Sequence, residues 1–205
     1  VKLYFAPGAC SLSPHIVLRE LGLPFDLVKV DLGAKWTADG ADYKTINPKG
    51  YVPALLTDDG HVLTEGPALV QYLADRKPEA RLAPANGSFA RSQLQEWLNF
   101  ISTEIHKSFS ALFNPAMPDA AKDIYIGKLK QRFGELDVAL AKQDFLMGAQ
   151  FSVADAYLYT VLRWTRAFNI ELNQWPALAR FFARVDARPA VRAAVEAEAA
   201  AKQAG

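Results

Sequence analysis

Lys2-Leu3-Tyr4-Phe5-Ala6-Pro7-Gly8-Ala9-Cys10-Ser11-Leu12-Ser13-Pro14 carries a short apolar strand, a Pro-Gly break, a Ser-rich helix start and the only cysteine of the chain. Beyond it, Ile16, Val17, Leu18 and Leu21 follow helical spacing, and Gly22 stands where that helix should stop. From Phe25 to Leu32, the apolar residues Phe25, Leu27, Val28, Val30 and Leu32 interleave with Asp26, Lys29 and Asp31, which reads as a second strand. A strand-helix-strand run this short predicts a parallel pair joined by a right-handed crossover.

After a loop through Asn47-Pro48-Lys49-Gly50, two apolar runs, Val52 to Thr57 and His61 to Thr64, flank Asp58-Asp59-Gly60. An Asp-Gly pair between apolar runs signals a hairpin. Glu65-Gly66-Pro67 then opens a helix through Leu69, Val70 and Leu73, with proline in the first turn, where no N–H is needed. The order β-α-β then β-β-α describes a small mixed sheet with helices on it, as in the thioredoxin fold.

Lys77 to Ser88, with Pro78, Pro84 and Gly87, reads as a linker. Everything beyond it has helical periodicity. Leu94, Trp97, Leu98, Ile101, Ile105 and Leu112 form one stripe ending before Asn114-Pro115, and Tyr125, Leu129, Phe133, Leu136 and Leu140 form another. Ser152 and Asp155 have capping-box spacing, Trp175-Pro176 starts a further helix, and an Ala-rich helix begins at Pro189. The expected organisation is an α/β domain over residues 1–80 and an all-helical domain over 88–205.

Composition narrows the function. The chain has 205 residues, of which 51% are apolar, and 23 basic against 22 acidic side chains. A balance this even, with no run of five like charges, argues against the basic face that nucleic acid binding or an anionic membrane surface requires. One cysteine forms neither an internal disulfide nor a multi-cysteine metal site, so no metal is expected and a reducing, cytoplasmic compartment is favoured. The first residues lack the apolar run of a signal peptide. No span approaches the roughly 18 apolar residues of a membrane helix.

Cys10 sits where the first helix begins, facing the positive end of its dipole. A thiol there can have its pKa lowered from about 8.5 into a range of about 3.5 to 7.5, which makes a thiolate. The alternative is a small buried hydrophobe. The Cys10-x-x-Ser13 spacing matches a thioredoxin-type site without its resolving cysteine, so such a thiol would partner an external thiol.

Together with Pro7-Gly8-Ala9-Cys10-Ser11-Leu12, the motifs Asn47-Pro48-Lys49-Gly50, Val52-Pro53-Ala54-Leu55, Leu63-Thr64-Glu65-Gly66, Glu96-Trp97-Leu98-Asn99, Thr103-Glu104-Ile105-His106-Lys107 and Ser152-Val153-Ala154-Asp155-Ala156-Tyr157 resemble the glutathione S-transferases, and more closely their bacterial beta class. The resemblance covers nearly the whole chain. It implies a thioredoxin-like N-terminal domain, an all-α C-terminal domain, a homodimer, and glutathione as cosubstrate with no separate cofactor.

The resemblance also implies roles. Val52 precedes a cis Pro53 and offers its backbone to the cysteinyl unit of glutathione. Glu65 and Gly66, at a helix N-terminus, take the γ-glutamyl end, and Lys35 the glycyl carboxylate. Asn99 and Thr103 reach the glutathione of the neighbouring subunit, and Cys10 and His106 act at the sulfur of their own. By α-helical spacing Asn99, Thr103 and His106 share one stripe. Leu32, Phe109, Phe113, Tyr157 and Trp164 are candidates for the pocket of a small hydrophobic electrophile. His15 and His61 receive no role. Phe5 stands where related enzymes often carry tyrosine, and the adjacent Tyr4 points to the opposite strand face. The expected activity is conjugation of glutathione to electrophilic, aromatic compounds. The alternatives are thiol-disulfide or reductive dehalogenation chemistry on Cys10, and a non-catalytic binding or regulatory protein of the same fold.

Overall fold

The computed structural model describes residues 1–203. They form two compact units, one built from residues 1–81 together with the chain from Ala187 onward, the other from Leu82–Asp186.

In the first unit, β1 (Lys2–Phe5), α1 (Leu12–Leu21), β2 (Asp26–Asp31), β3 (Trp36–Thr37), α2 (Tyr43–Ile46), β4 (Ala54–Leu56), β5 (Val62–Thr64) and α3 (Gly66–Asp75) follow one another. The sheet order is β3-β2-β1-β4-β5. β1 and β2 are parallel, in register Leu3 with Leu27, as the β-α-β reading requires, while β4 and β5 form the expected antiparallel hairpin. β1 is the central strand, and its alternation sorts the core. Phe5 faces α1, its ring centroid 6.3 Å from that of His15, while Tyr4 packs on the other side with Val28, Val30, Tyr43, Val52 and Ala54. Tyr4 and Phe5 therefore do not substitute for one another. β3 and α2 fall in a stretch the sequence reads only as loop. α2 is a single turn capped by the Asp42 carboxylate, which accepts the Lys44 N–H at 2.9 Å.

The expected extent of the helical domain, 88–205, needs correction at its C-terminal end. The last helix, α9 (Pro189–Gln203), belongs to the first unit, where it packs on α1. Arg188 just before it grips Glu20 through two parallel hydrogen bonds of 2.6 and 2.8 Å, Glu198 meets His15, and the Lys29 ammonium donates to the Ala201 carbonyl at 2.9 Å. An Ala-rich helix has a weak apolar stripe, so long-range polar pairs, invisible to local periodicity, decide where it docks. Ala204 and Gly205, the end of the expected domain, lie outside the described residues.

The second unit contains α4 (Phe89–Phe100), α5 (Lys107–Leu112), α6 (Asp119–Leu140), α7 (Val153–Leu162) and α8 (Pro176–Asp186). Between α4 and α5 the chain runs through a π-helical segment, Ile101–His106, which the periodicity does not reveal. Hydroxyls bonding back to carbonyls four residues earlier, Thr103 to Asn99 and Ser108 to Glu104, accompany it. Every residue of α7 is buried, which makes it the central helix of this unit. Its start is the capping box the sequence shows. One Asp155 oxygen accepts the Ser152 N–H and hydroxyl, each at 2.7 Å, and the other accepts the Leu146 N–H at 2.7 Å. Burial pushes the Asp155 carboxyl up to about 6 even against these donors. Among the described residues no helix is long and apolar enough to cross a membrane.

Removing the Asp155 carboxylate strands two backbone N–H groups and a hydroxyl in the core. Asp155→Ala should lower the unfolding free energy by about 3 kcal/mol in urea titrations. Asp119→Ala, at an exposed pair with Lys122, should change it by less than about 0.5 kcal/mol.

Candidate active site

The candidate residues of the first unit are gathered by four consecutive positions, 49 to 52. The Tyr51 carbonyl is held by the Tyr43 hydroxyl at 2.8 Å and the Asn47 amide at 2.7 Å. Next to it, the Lys35 ammonium donates to the Gly50 carbonyl at 3.0 Å and lies 5.8 Å from the centre of the Tyr51 ring. Gly50 has φ 68°, and a Cβ there would meet the Lys35 stem at 3.4 Å, so glycine suits both the turn and the close approach. The Val52 carbonyl accepts the Cys10 S–H at 3.3 Å, and the Val52–Pro53 bond is cis, as the resemblance implies. The Lys49 ammonium sits 2.7 Å from a Glu65 carboxylate oxygen. Thus Cys10, Lys35, Val52 and Glu65, scattered along the sequence, meet through one short segment.

Two of these residues have left-handed backbone. Lys35 has φ 63°, and Glu65, the residue before α3, has φ 71° and ψ 112°. Neither is glycine, so each stores conformational strain of the kind found at ligand clamps. The turn of α3 is less generous to anions than its position suggests. Pro67 has no N–H, and the Ala68 and Leu69 N–H groups both close onto the Glu65 carbonyl at 3.0 Å. Gly66 contributes the remaining first-turn N–H, and a Cβ at Gly66 would meet nothing within 4 Å.

Of the two readings of Cys10, thiolate or buried thiol, its surroundings favour the second. Burial pushes Cys10 up to about 11, outweighing the backbone N–H groups that favour the charged form, and the Glu65 and Glu198 carboxylates add to the rise. α1 begins only at Leu12, and Cys10 lies in the turn before it, its S–H donating to the Val52 carbonyl, which favours the neutral form. Ser13, in the place of a resolving cysteine, spends its hydroxyl on the Cys10 carbonyl at 3.1 Å.

Behind Cys10 lies a buried network that sequence reasoning missed. The Ser11 hydroxyl clamps both the N–H and the carbonyl of Ala6 at 3.2 Å. The Arg19 guanidinium donates to His15 Nε2 at 2.9 Å, which leaves Nδ1 as the donor to Glu198, 3.2 Å away. The other Glu198 oxygen accepts the Gly8 N–H at 3.0 Å. His15, left without a role by the sequence, is thus fully buried and joins α1, α9 and the loop that presents Cys10. No local pattern could have found a partner 183 positions away.

In the second unit, His106 ends the π segment. Its Nδ1 shares a 2.6 Å hydrogen bond with the Tyr157 hydroxyl, and its ring lies edge-on to Trp164 at 5.0 Å. The π turn changes the angular step between Thr103 and His106, so the single stripe expected of α-helical spacing is broken. Asn99 and Thr103 are exposed, while His106 is half-buried against Tyr157. Of the aromatic candidates, Phe109 and Tyr157 are buried and Phe113 is 51% exposed, with Trp164 half-buried between them. The first two back this surface rather than line it. Phe168, which the sequence reading omitted, completes the cluster, 4.9 Å from Phe113. Leu32 is exposed on the first unit, just beyond β2.

A mixed sheet with a thiol before its first helix, a cis Val52–Pro53 bond leading into β4 and a glutamate at the start of α3 defines a thioredoxin-like unit. Family models place the chain further. Residues 8–76 match the glutathione S-transferase N-terminal domain and residues 100–189 the C-terminal domain. The chain belongs to the glutathione S-transferase family. The Escherichia coli O157:H7 glutathione S-transferase GstA is 46% identical over 97% of this chain and 98% of its own. Among solved structures, a ternary complex of BphK, a bacterial glutathione S-transferase, superposes with a TM-score of 0.95 at 57% identity, covering 97% of this chain and all of that one. The beta-class enzyme of Sphingomonas chungbukensis gives 0.93 at 45% identity, covering 97% and 98%.

With burial pushing the thiol up to about 11, alkylation of Cys10 by iodoacetamide in the ligand-free protein should rise about tenfold per pH unit from roughly pH 7 to 9.5. A plateau near neutral pH would show a thiolate instead.

Proposed function

We propose that this chain joins the sulfur of glutathione to electrophilic, hydrophobic, aromatic compounds, acting in the cytoplasm as a homodimer. The observation that carries the reading is the Cys10 thiol donating to the Val52 carbonyl, on the same short segment that Lys35 and, through Lys49, Glu65 contact. When glutathione binds, the one S–H hydrogen turns from the Val52 carbonyl to the glutathione sulfur, so the glutathione thiolate is the nucleophile and Cys10 stabilises its charge. His106, oriented by Tyr157, supplies a second polar group at the sulfur. Lys35 takes the glycyl carboxylate, Glu65 and Gly66 the γ-glutamyl end, and Val52 the cysteinyl backbone. Asn99 and Thr103, both exposed, serve the glutathione of the neighbouring subunit. Phe113, Trp164 and Leu32 offer apolar surface to the electrophile, with Phe109 and Tyr157 behind. Tyr51 and Phe89, exposed at 70% and 79%, are large aromatics that dimer contacts would cover.

Burial, which pushes the Cys10 thiol up to about 11, disfavours the rival chemistries in which Cys10 itself attacks, since a thiol is a poor nucleophile beside a thiolate. The retained polar set argues against a non-catalytic protein.

In an assay of thiol consumption with an activated aryl chloride, Cys10→Ser should keep conjugation within about tenfold of wild type while losing any mixed disulfide with oxidised glutathione, read by mass spectrometry. His106→Ala should lower kcat by about 10- to 100-fold. Tyr157→Phe should lower it less, by roughly three- to tenfold, with KM unchanged. Protein that retains glutathione yet consumes no thiol with any electrophile would overturn the transferase reading. Sedimentation equilibrium should give twice the 22.5 kDa of the chain.

A further inference from the structure

We propose that Lys49 and Glu65 together form a two-charge reader for the amino-acid end of the γ-glutamyl group, with Lys49 the partner of its α-carboxylate. The inference rests on glutathione being the ligand and adds a binding residue that the motif assignment leaves out. The γ-glutamyl end is a zwitterion, an ammonium and a carboxylate on one carbon. Glu65 matches the ammonium. The carboxylate needs donors, and α3 supplies few: Pro67 has none, Ala68 and Leu69 spend theirs on the Glu65 carbonyl, and Gly66 alone remains. One N–H is a weak match for a full negative charge.

The missing cation stands beside it. The Lys49 ammonium lies 2.7 Å from Glu65 Oε1 and 3.4 Å from the Thr64 hydroxyl, with both charged side chains more than half exposed to solvent. The pair is held from both ends. Glu65 has its strained backbone at φ 71°, and Lys49 donates its own N–H to the Asn47 side chain at 3.2 Å, in the turn that also holds the Tyr51 carbonyl. Open space faces Gly66. A zwitterion arriving there sets its carboxylate against Lys49 and its ammonium against Glu65, so each protein charge exchanges one partner for two. In the empty site Lys49 neutralises Glu65. An exposed pair of this kind contributes little to folding, so Lys49 can be replaced without loss of structure.

The test crosses two proteins with three peptides. Wild type and Lys49→Met are titrated calorimetrically with glutathione, with 4-aminobutyryl-Cys-Gly, which lacks the α-carboxylate, and with glutaryl-Cys-Gly, which lacks the amino group. Thermal melting checks that both proteins are equally folded. Lys49→Met should weaken glutathione and glutaryl-Cys-Gly by about tenfold each, whereas 4-aminobutyryl-Cys-Gly should bind the variant at least as tightly as wild type, because Glu65 has lost a competing cation. Lys49→Arg should restore glutathione binding. Equal weakening of all three peptides, or of none, overturns the role of Lys49 and leaves the glutathione reading intact. Wild type that binds no glutathione overturns both.

Discussion

The Tyr51 carbonyl, gripped by the Tyr43 hydroxyl and the Asn47 amide, is the contact on which the first unit's site depends. Two neutral donors on one acceptor pin the backbone where four side chains converge. Lys35 reaches the carbonyl before it, Cys10 the carbonyl after it, and Lys49 carries the chain's link to Glu65. α2 and the residue that follows it present Tyr43 and Asn47 to this point. A one-turn helix has no stability of its own, and it persists because it is capped and because Tyr43 is buried against Tyr4, ring centroids 5.6 Å apart.

Buried polar groups do the remaining positioning, and in each unit a carboxylate is the hub. Glu198 ties the Gly8 N–H and His15 together behind Cys10, while Asp155 ties Ser152 and Leu146 at the start of α7. Both carboxylates are almost inaccessible to water, so their donors must be complete. The cost of leaving any of these groups unpaired makes each arrangement specific rather than adaptable. α7 in turn carries Tyr157, the hydrogen-bond partner of His106, so the cap and a proposed active-site residue share one rigid helix.

Much of this was legible along the chain. The β-α-β start, the Asp-Gly hairpin, the capping box and the proline-led helices are local signals, and each element stands where its signal placed it. The motif resemblance carried the family and the cis Val52–Pro53 bond, which no propensity distinguishes from a trans one. The missed features share one physical character, which is that their causes lie far away in sequence. α9 docks through Glu20, His15 and Lys29, the π segment interrupts a stripe that reads as continuous, and Phe168 joins the aromatic cluster through a turn after α7.

Sequence alone determined that one cysteine would stand at a helix start with a serine three residues on, and therefore that it would have no internal thiol partner. Tertiary structure decided its chemical state. The dipole argument weighs only the nearest turn, whereas the folded protein turns the sulfur toward the Val52 carbonyl, removes water and brings Glu65 and Glu198 near. Desolvation and like-sign carboxylates outweigh a few aligned N–H groups and push the Cys10 thiol up to about 11, while its S–H is directed at the Val52 carbonyl.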